Sequence, residues 1–146
     1  MTLPPQKFEL QQFEHSGSVT TTAPPAAVWA IWSDSSTWPD WDPSVVGVVL
    51  DGPFVAGTTG TMTLAGPFEV PVSLEVVEEG RRYLDQLTMG ELVIRIDHVV
   101  EPAADGGSDV TVSTTIEGPG ADDIGPMVTA EAPLAMASLV ERAEAI

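Results

Sequence analysis

From residue 45 to residue 117 the chain is a succession of short apolar runs, most of them closed by glycine or proline. Val45–Leu50 ends at Asp51-Gly52-Pro53, and Thr58–Leu64 ends at Ala65-Gly66-Pro67. Phe68–Val77 alternates, with Phe68, Val70, Val72, Leu74 and Val76 on one face, and stops at Glu78-Glu79-Gly80. Arg82–Thr88 ends at Met89-Gly90. Leu92–Val100 sets Leu92, Ile94, Ile96, His98 and Val100 on one face and Val93, Arg95, Asp97 and Val99 on the other. Val110–Glu117 repeats the pattern through Val110, Val112, Thr114 and Ile116. Strict alternation broken by turn residues at hairpin spacing predicts strands joined as an antiparallel meander. An earlier Thr- and Val-rich segment, Phe13–Thr22, predicts one further strand.

Helical signals flank these strands. Ala23-Pro24-Pro25 stops the first strand, and proline suits the first turn of a helix, so a helix is predicted over Pro25–Trp32. Val28, Trp29 and Trp32 group there at three- and four-residue spacing. Ser33-Asp34-Ser35-Ser36 ends it, with Asp34 read as a cap for a short second turn around Trp38. The tail, Asp122–Ile146, carries an apolar stripe through Ile124, Met127, Val128, Met136, Leu139, Val140, Ala143 and Ile146. Asp122 or Asp123 is its expected N-cap, and Pro133 is expected to kink or interrupt it. Residues 1–12 read as a flexible N-terminal arm, and 13–146 as one domain.

All four tryptophans, Trp29, Trp32, Trp38 and Trp41, fall in the short helical region. Indole is large and amphipathic, and so many in one place suggest a wall around a space. Charge then narrows the occupant. Asp and Glu number 22 against 5 Lys and Arg, a formal net charge of -17. Such a surface repels phosphate backbones and anionic headgroups, so no nucleic acid is expected as partner. With no cysteine, a disulfide framework, a thiolate metal site and a cysteine nucleophile are all excluded. Pro4 and Pro5 interrupt the N-terminus where a signal peptide needs its apolar stretch, and no run reaches membrane-spanning length. No membrane insertion and a cytoplasmic location are expected.

Particular residues name a family. Ala23-Pro24 with Val28-Trp29 is followed by Trp38-Pro39-Asp40-Trp41-Asp42-Pro43, then Leu50-Asp51-Gly52-Pro53-Phe54 and Gly57-Thr58-Thr59-Gly60-Thr61-Met62. Across residues 13–146 the sequence resembles the START-like (SRPBCC) superfamily, and within it the polyketide cyclase/dehydrase and lipid-transport group, to which the birch-pollen-allergen proteins are related. The resemblance implies an α+β helix-grip fold: a curved antiparallel seven-stranded sheet, ordered β-α-α-β6-α, wrapped around a long C-terminal helix. It also implies a hydrophobic small-molecule ligand, polyketide-, lipid- or isoprenoid-like, held between sheet and helix, and chemistry of cyclisation or dehydration by proton transfer. A non-catalytic carrier and a co-chaperone-like interaction module are the other functions found on this fold. Small residues at Ala130, Ala132, Ala135 and Ala137 would hold the helix off the bent sheet and leave the space.

His98 is the sharpest chemical candidate, because its strand neighbours on the same face are apolar. An interior histidine serves as a general acid or base, or as a core residue satisfied by one buried hydrogen bond. Glu131, between Met127 and Leu134 on the C-terminal helix, faces the pocket or lies at the stripe's edge. Asp42 beside the tryptophans is a proton-transfer candidate if its pKa is raised, and otherwise a turn residue. The expected ligand-lining residues are Trp29, Trp32, Trp38, Trp41, Met62, Tyr83, Ile94, Ile96, Met127 and Leu134. Arg95 and Asp97 read as an exposed pair on the sheet's outer face. Neither HExxH, GxSxG nor a lysine-bearing phosphate loop occurs, so no metal site and no cofactor is expected. A sheet edge offers dimerisation, so monomer and homodimer both stand.

Overall fold

The computed structural model describes residues 11–146. The expected N-terminal arm therefore lies outside the described residues except for Gln11 and Gln12, and Gln12 already belongs to the first strand. The elements are β1 (Gln12–Thr21), α1 (Pro25–Trp32), a 3-10 turn (Ser35–Thr37) and α2 (Trp38–Trp41). They continue as β2 (Val45–Leu50), β3 (Thr59–Leu64), β4 (Phe68–Glu78), β5 (Arg82–Met89), β6 (Leu92–Pro102) and β7 (Ser108–Glu117). The chain finishes in α3 (Ala121–Thr129) and α4 (Ala132–Glu144). The strands form one antiparallel seven-stranded sheet in the order β1-β7-β6-β5-β4-β3-β2. This is the helix-grip arrangement, with the C-terminal helices on the concave side.

In the turn that leads into β3, Gly57 adopts a φ of 95°, open to glycine and strained for other residues. A Cβ on Gly60 would lie 2.2 Å from the carbonyl oxygen of Val49, so β2 and β3 cross this closely only with glycine there. A bulge between Leu74 and Val76 shifts β4 by one residue against β5. Beyond it Val77 packs against the core, and the inward place expected for Val76 is lost.

Helix ends differ from expectation in informative ways. Gly120, in the left-handed region at φ 79°, is the N-cap of α3, and Asp122 and Asp123 fall within its first turn. There they face the positive end of the helix dipole without a capping hydrogen bond. Pro133 does interrupt the C-terminal helix. Its ring nitrogen cannot donate to the Thr129 carbonyl, so α3 stops at Thr129 and α4 restarts at Ala132. Asp34 precedes the 3-10 turn but makes no side-chain cap; its carbonyl accepts from Thr37 N–H at 3.0 Å.

The C-terminal helices are tied to the sheet at both ends. A Cβ on Gly125 of α3 would fall 2.2 Å from the Phe13 ring of β1, so helix and strand touch directly there. At the far end Glu144 accepts from the Thr21 hydroxyl at 2.7 Å and the Thr22 amide at 3.3 Å. On the outer face Arg82 clasps Asp97 with two hydrogen bonds, 2.8 and 3.0 Å, and Arg95 reaches Glu117 at 3.5 Å. Asp97 thus pairs across strands rather than with Arg95, two residues away on its own strand.

Candidate functional site

Between these tethers the helices stand off the sheet. Two hollows lie in the gap: a larger one of about 360 Å³ and a smaller one of about 80 Å³. Trp41, Asp42, Ser44, Ile96, Val128 and Glu131 border both. The larger falls within the size range of small-molecule sites. Its floor is Met62 from β3, Tyr83, Asp85, Leu87 and Met89 from β5, and Ile94 and Ile96 from β6. Trp38 and Trp41 close one end, Ile124, Met127 and Val128 of α3 roof it, and Phe68 lies at the rim.

An aromatic cluster positions the walls. Trp38 donates its indole N–H to the Trp32 carbonyl at 3.0 Å, satisfying one of the orphan acceptors at the end of α1. Trp38 stacks on Tyr83 with centroids 5.8 Å apart, and Trp32 meets Tyr83 edge-on at 5.6 Å. Phe54, from the β2–β3 connection, meets Tyr83 at 5.2 Å. Each such pair contributes roughly 0.5–1.5 kcal/mol beyond area burial. The cluster therefore fixes Tyr83, and with it the β5 face that forms the floor.

His98 sits behind this floor. Its ring lies flat on Tyr83, centroids 3.9 Å apart and planes 5° from parallel. Nδ1 is 3.2 Å from the Tyr83 carbonyl oxygen, which only accepts, so Nδ1 carries the proton and donates. Burial, with only 8% of the residue exposed, pushes its pKa down to about 4 and outweighs the opposing hydrogen bond to Tyr83. At neutral pH the imidazole is uncharged, with Nε2 as an acceptor. His98 borders the smaller hollow, together with Thr114, Trp32 and Trp41. The indole N–H groups of Trp32 and Trp41 are buried without a protein partner.

The candidate functional residue that sequence reasoning missed is Asp85. It lies on the inner face of β5 between Tyr83 and Leu87, only 3% exposed, and borders the larger cavity. Its Oδ1 is buried and has no hydrogen-bond partner in the protein. Burial raises its pKa to about 7; its own backbone N–H opposes the rise, and the Asp42 carboxylate adds to it. Tyr83 is pushed well above the usual phenol value by burial first, then by Asp85 and Asp42. Asp42 itself is anchored at the C-cap of α2, where Oδ1 accepts from the Ser44 amide at 3.0 Å and the Ser44 hydroxyl at 2.7 Å. Period-two alternation along Tyr83-Leu84-Asp85-Gln86-Leu87 was the available signal, since it sets Asp85 on the face of Tyr83 and Leu87.

Most of the expected lining residues converge. Trp38, Trp41, Met62, Tyr83, Ile94, Ile96 and Met127 border the larger cavity, and Trp32 the smaller. Trp29 borders neither; it packs edge-on against Phe54 at 6.1 Å and Tyr83 at 6.4 Å, behind the wall. Leu134 also borders neither and is 59% exposed. Of the expected proton-transfer residues, Asp42 and Glu131 meet at both hollows. Glu131 stands in the break between α3 and α4, exposed at the rim.

A seven-stranded sheet gripping a broken C-terminal helix around an apolar cavity defines a helix-grip protein with an internal binding space. The chain belongs to the polyketide cyclase / dehydrase and lipid transport family, whose model matches residues 12–144. Among solved structures it is similar to Ara h 8.0201, with TM-score 0.74 and 19% identity over 93% of this chain and 100% of that one. It is also similar to truncated norcoclaurine synthase from Thalictrum flavum, with TM-score 0.73 and 16% identity over 93% of this chain and 95% of that one. A point mutant of the same synthase, solved in complex with a transition-state analogue, matches at TM-score 0.73 and 16% identity, over 92% and 95% of the two chains. Such identities establish a shared fold. Comparison with curated proteins gives no match. Among the described residues no helix is long and apolar enough to cross a membrane.

Proposed function

We propose that the protein binds an apolar small molecule, polyketide-, lipid- or isoprenoid-like, in the larger cavity and moves a proton on it through Asp85. The observation that carries this reading is one buried carboxyl with an unpartnered oxygen, set in an otherwise largely apolar wall. Cavity binding sites pair an apolar lining with few polar groups in just this way. A carboxyl whose pKa lies near 7 is matched to general acid–base work at neutral pH, as His98 with its pKa near 4 is not. In a dehydration, Asp85 would take the proton from the carbon beside a carbonyl and return it to the departing hydroxyl. One water leaves, a C=C bond forms, and no oxidant or reductant is needed. Trp38, Trp41, Met62, Tyr83, Ile94 and Ile96 would hold the substrate in the reactive conformation, which itself lowers the barrier. Asp42 supports the reading by keeping Asp85 from ionising too readily.

Binding and chemistry are tested separately. The uncharged dye N-phenyl-1-naphthylamine should bind saturably with enhanced emission, and Leu87→Trp, which fills the floor, should abolish that binding while the protein still melts cooperatively. Met127→Glu, at the exposed rim, should weaken binding without loss of fold. For proton transfer, 2-tetralone in deuterated water should exchange the hydrogens beside its carbonyl faster with the protein than without it. That acceleration should rise with pH through about 7, as Asp85 ionises, and vanish in Asp85→Asn. Dye binding without exchange makes the protein a carrier; absence of both leaves an interaction module.

A further inference from the structure

Each ionisable side chain bordering the larger cavity is an acid. They are Asp42 after α2, Tyr83 and Asp85 on β5, and Glu131 between α3 and α4. Among the described residues, no lysine, arginine or histidine borders it. Aromatic rings of Trp38, Trp41 and Phe68 complete the wall, and aromatic faces attract cations. The potential inside is therefore negative, and low-dielectric walls magnify it. The chain's formal net charge of -17 extends the same sign outward. A fatty-acid carboxylate or a phosphate would enter against this field. The carboxylates are not arranged for a metal either, since among the described residues no group of three or more His, Asp or Glu is placed to hold an ion. What fits is a cation carried on an apolar body.

We propose that the cavity's ligand is an apolar molecule bearing one basic amine, bound as its ammonium ion with the nitrogen against the Asp85 carboxylate and near Asp42. The inference rests on the larger cavity being the binding site and adds the charge class of the ligand. An ammonium donor would partner the buried Asp85 carboxylate, which borders the cavity and has an oxygen without a protein partner, and an ion pair shielded from water repays its desolvation only through such hydrogen bonds. The rest of the ligand lies on Met62, Leu87, Ile94 and the indoles.

The test uses three probes that share one ring system: 2-(2-naphthyl)ethylamine, 2-(2-naphthyl)ethanol and 2-naphthylacetate, each competing with N-phenyl-1-naphthylamine. The amine should bind about 10-fold or more tightly than the alcohol, and the acetate more weakly than either. Asp85→Asn should bring amine and alcohol within about 3-fold of each other, chiefly by weakening the amine. Calorimetry in two buffers of different ionisation enthalpy gives a second readout. Asp85 is mostly protonated at about pH 6, so amine binding should release close to one proton there, and alcohol binding none. His98 on β6, near 4, and Tyr83, well above the usual phenol value, do not titrate near that pH. Equal affinity for amine and alcohol, a preference for the acetate, or proton uptake with the amine would overturn the inference while dye binding upheld the cavity as the site. Failure of all three probes and the dye would overturn both.

Discussion

Replacing Asp85 by asparagine gives a signature set first by the residue's burial and then by the nearby Asp42 carboxylate. Unfolded, its carboxyl titrates near 3.8; folded, near 7. Between those values the unfolded chain binds fewer protons than the native one, so Asp85 costs stability progressively as pH rises. The whole shift corresponds to about 4 kcal/mol at 1.36 kcal/mol per pH unit, fully expressed above about pH 7 and absent below about pH 4. Asparagine keeps the shape and does not ionise. Its fixed differences from a carboxylic acid are independent of pH, so they move the baseline and not the slope. The stability of Asp85→Asn minus that of the wild type should therefore grow by roughly 2–3 kcal/mol between about pH 5 and pH 8.

Urea denaturation of both proteins across that range measures the difference directly, with the m-value as a check that unfolding stays two-state. Subtraction is essential, because His98 works in the opposite direction. Its pKa falls from 6.5 to about 4, so it adds stability as pH rises through that window. The two groups nearly cancel in the wild type between pH 4 and 6.5, a compensation hidden in the wild-type curve and exposed by the variant. A difference that stays flat from about pH 5 to pH 8 would refute the reasoning, since Asp85 would then titrate like a solvated carboxylate.

Other outcomes follow from the same geometry. His98→Gln should lose the stack on Tyr83 at all pH values, yet recover relative to wild type by up to about 3 kcal/mol as pH falls from 6.5 to 4, read by the same denaturation series. Gly125→Ala should destabilise by about 1–3 kcal/mol because its Cβ meets the Phe13 ring, and Phe13→Leu in the same chain should return part of that loss, measured as a double-mutant cycle. Arg82→Met should cost about 1 kcal/mol or less in thermal or urea melts, since the clasp on Asp97 is partly solvated.

Strand positions were legible because the chain punctuates them. Gly52-Pro53, Gly66-Pro67 and Gly80 close β2, β3 and β4 where turns need open backbone or fixed φ, and each observed boundary lies within a residue or two of its signal. Pro25 placed α1 because a proline at N1 tolerates little else. The bulge in β4 left no such mark: in Leu74-Glu75-Val76-Val77 both registers put a valine inward, so only pairing with Tyr83 and Leu84 decides. Asp85 was obscured for a related reason. Its strand carries apolar residues on both faces, Tyr83 and Leu87 on one and Leu84 on the other, and an acid within an apolar wall runs against the pattern that identifies strands. Leu134 was misplaced by continuity. Grouping it with Met127 and Glu131 at helical spacing assumes one helix, whereas the chain breaks around Glu131 and Leu134 turns outward. Trp29, a quarter-turn from the buried Val28–Trp32 row, reaches Phe54 instead of the cavity.

The central claim is that a small molecule lies on the inner face of β3, β5 and β6 beneath α3. Isotope-filtered NOE spectroscopy of the protein with bound 2-(2-naphthyl)ethylamine tests it at atomic resolution, using methyl-labelled methionine, isoleucine and valine. Contacts from the naphthyl protons to the methyl groups of Met62, Ile94 and Ile96 are the predicted result. Contacts confined to Val46, Val49 and Val55 on the exposed surface would contradict it.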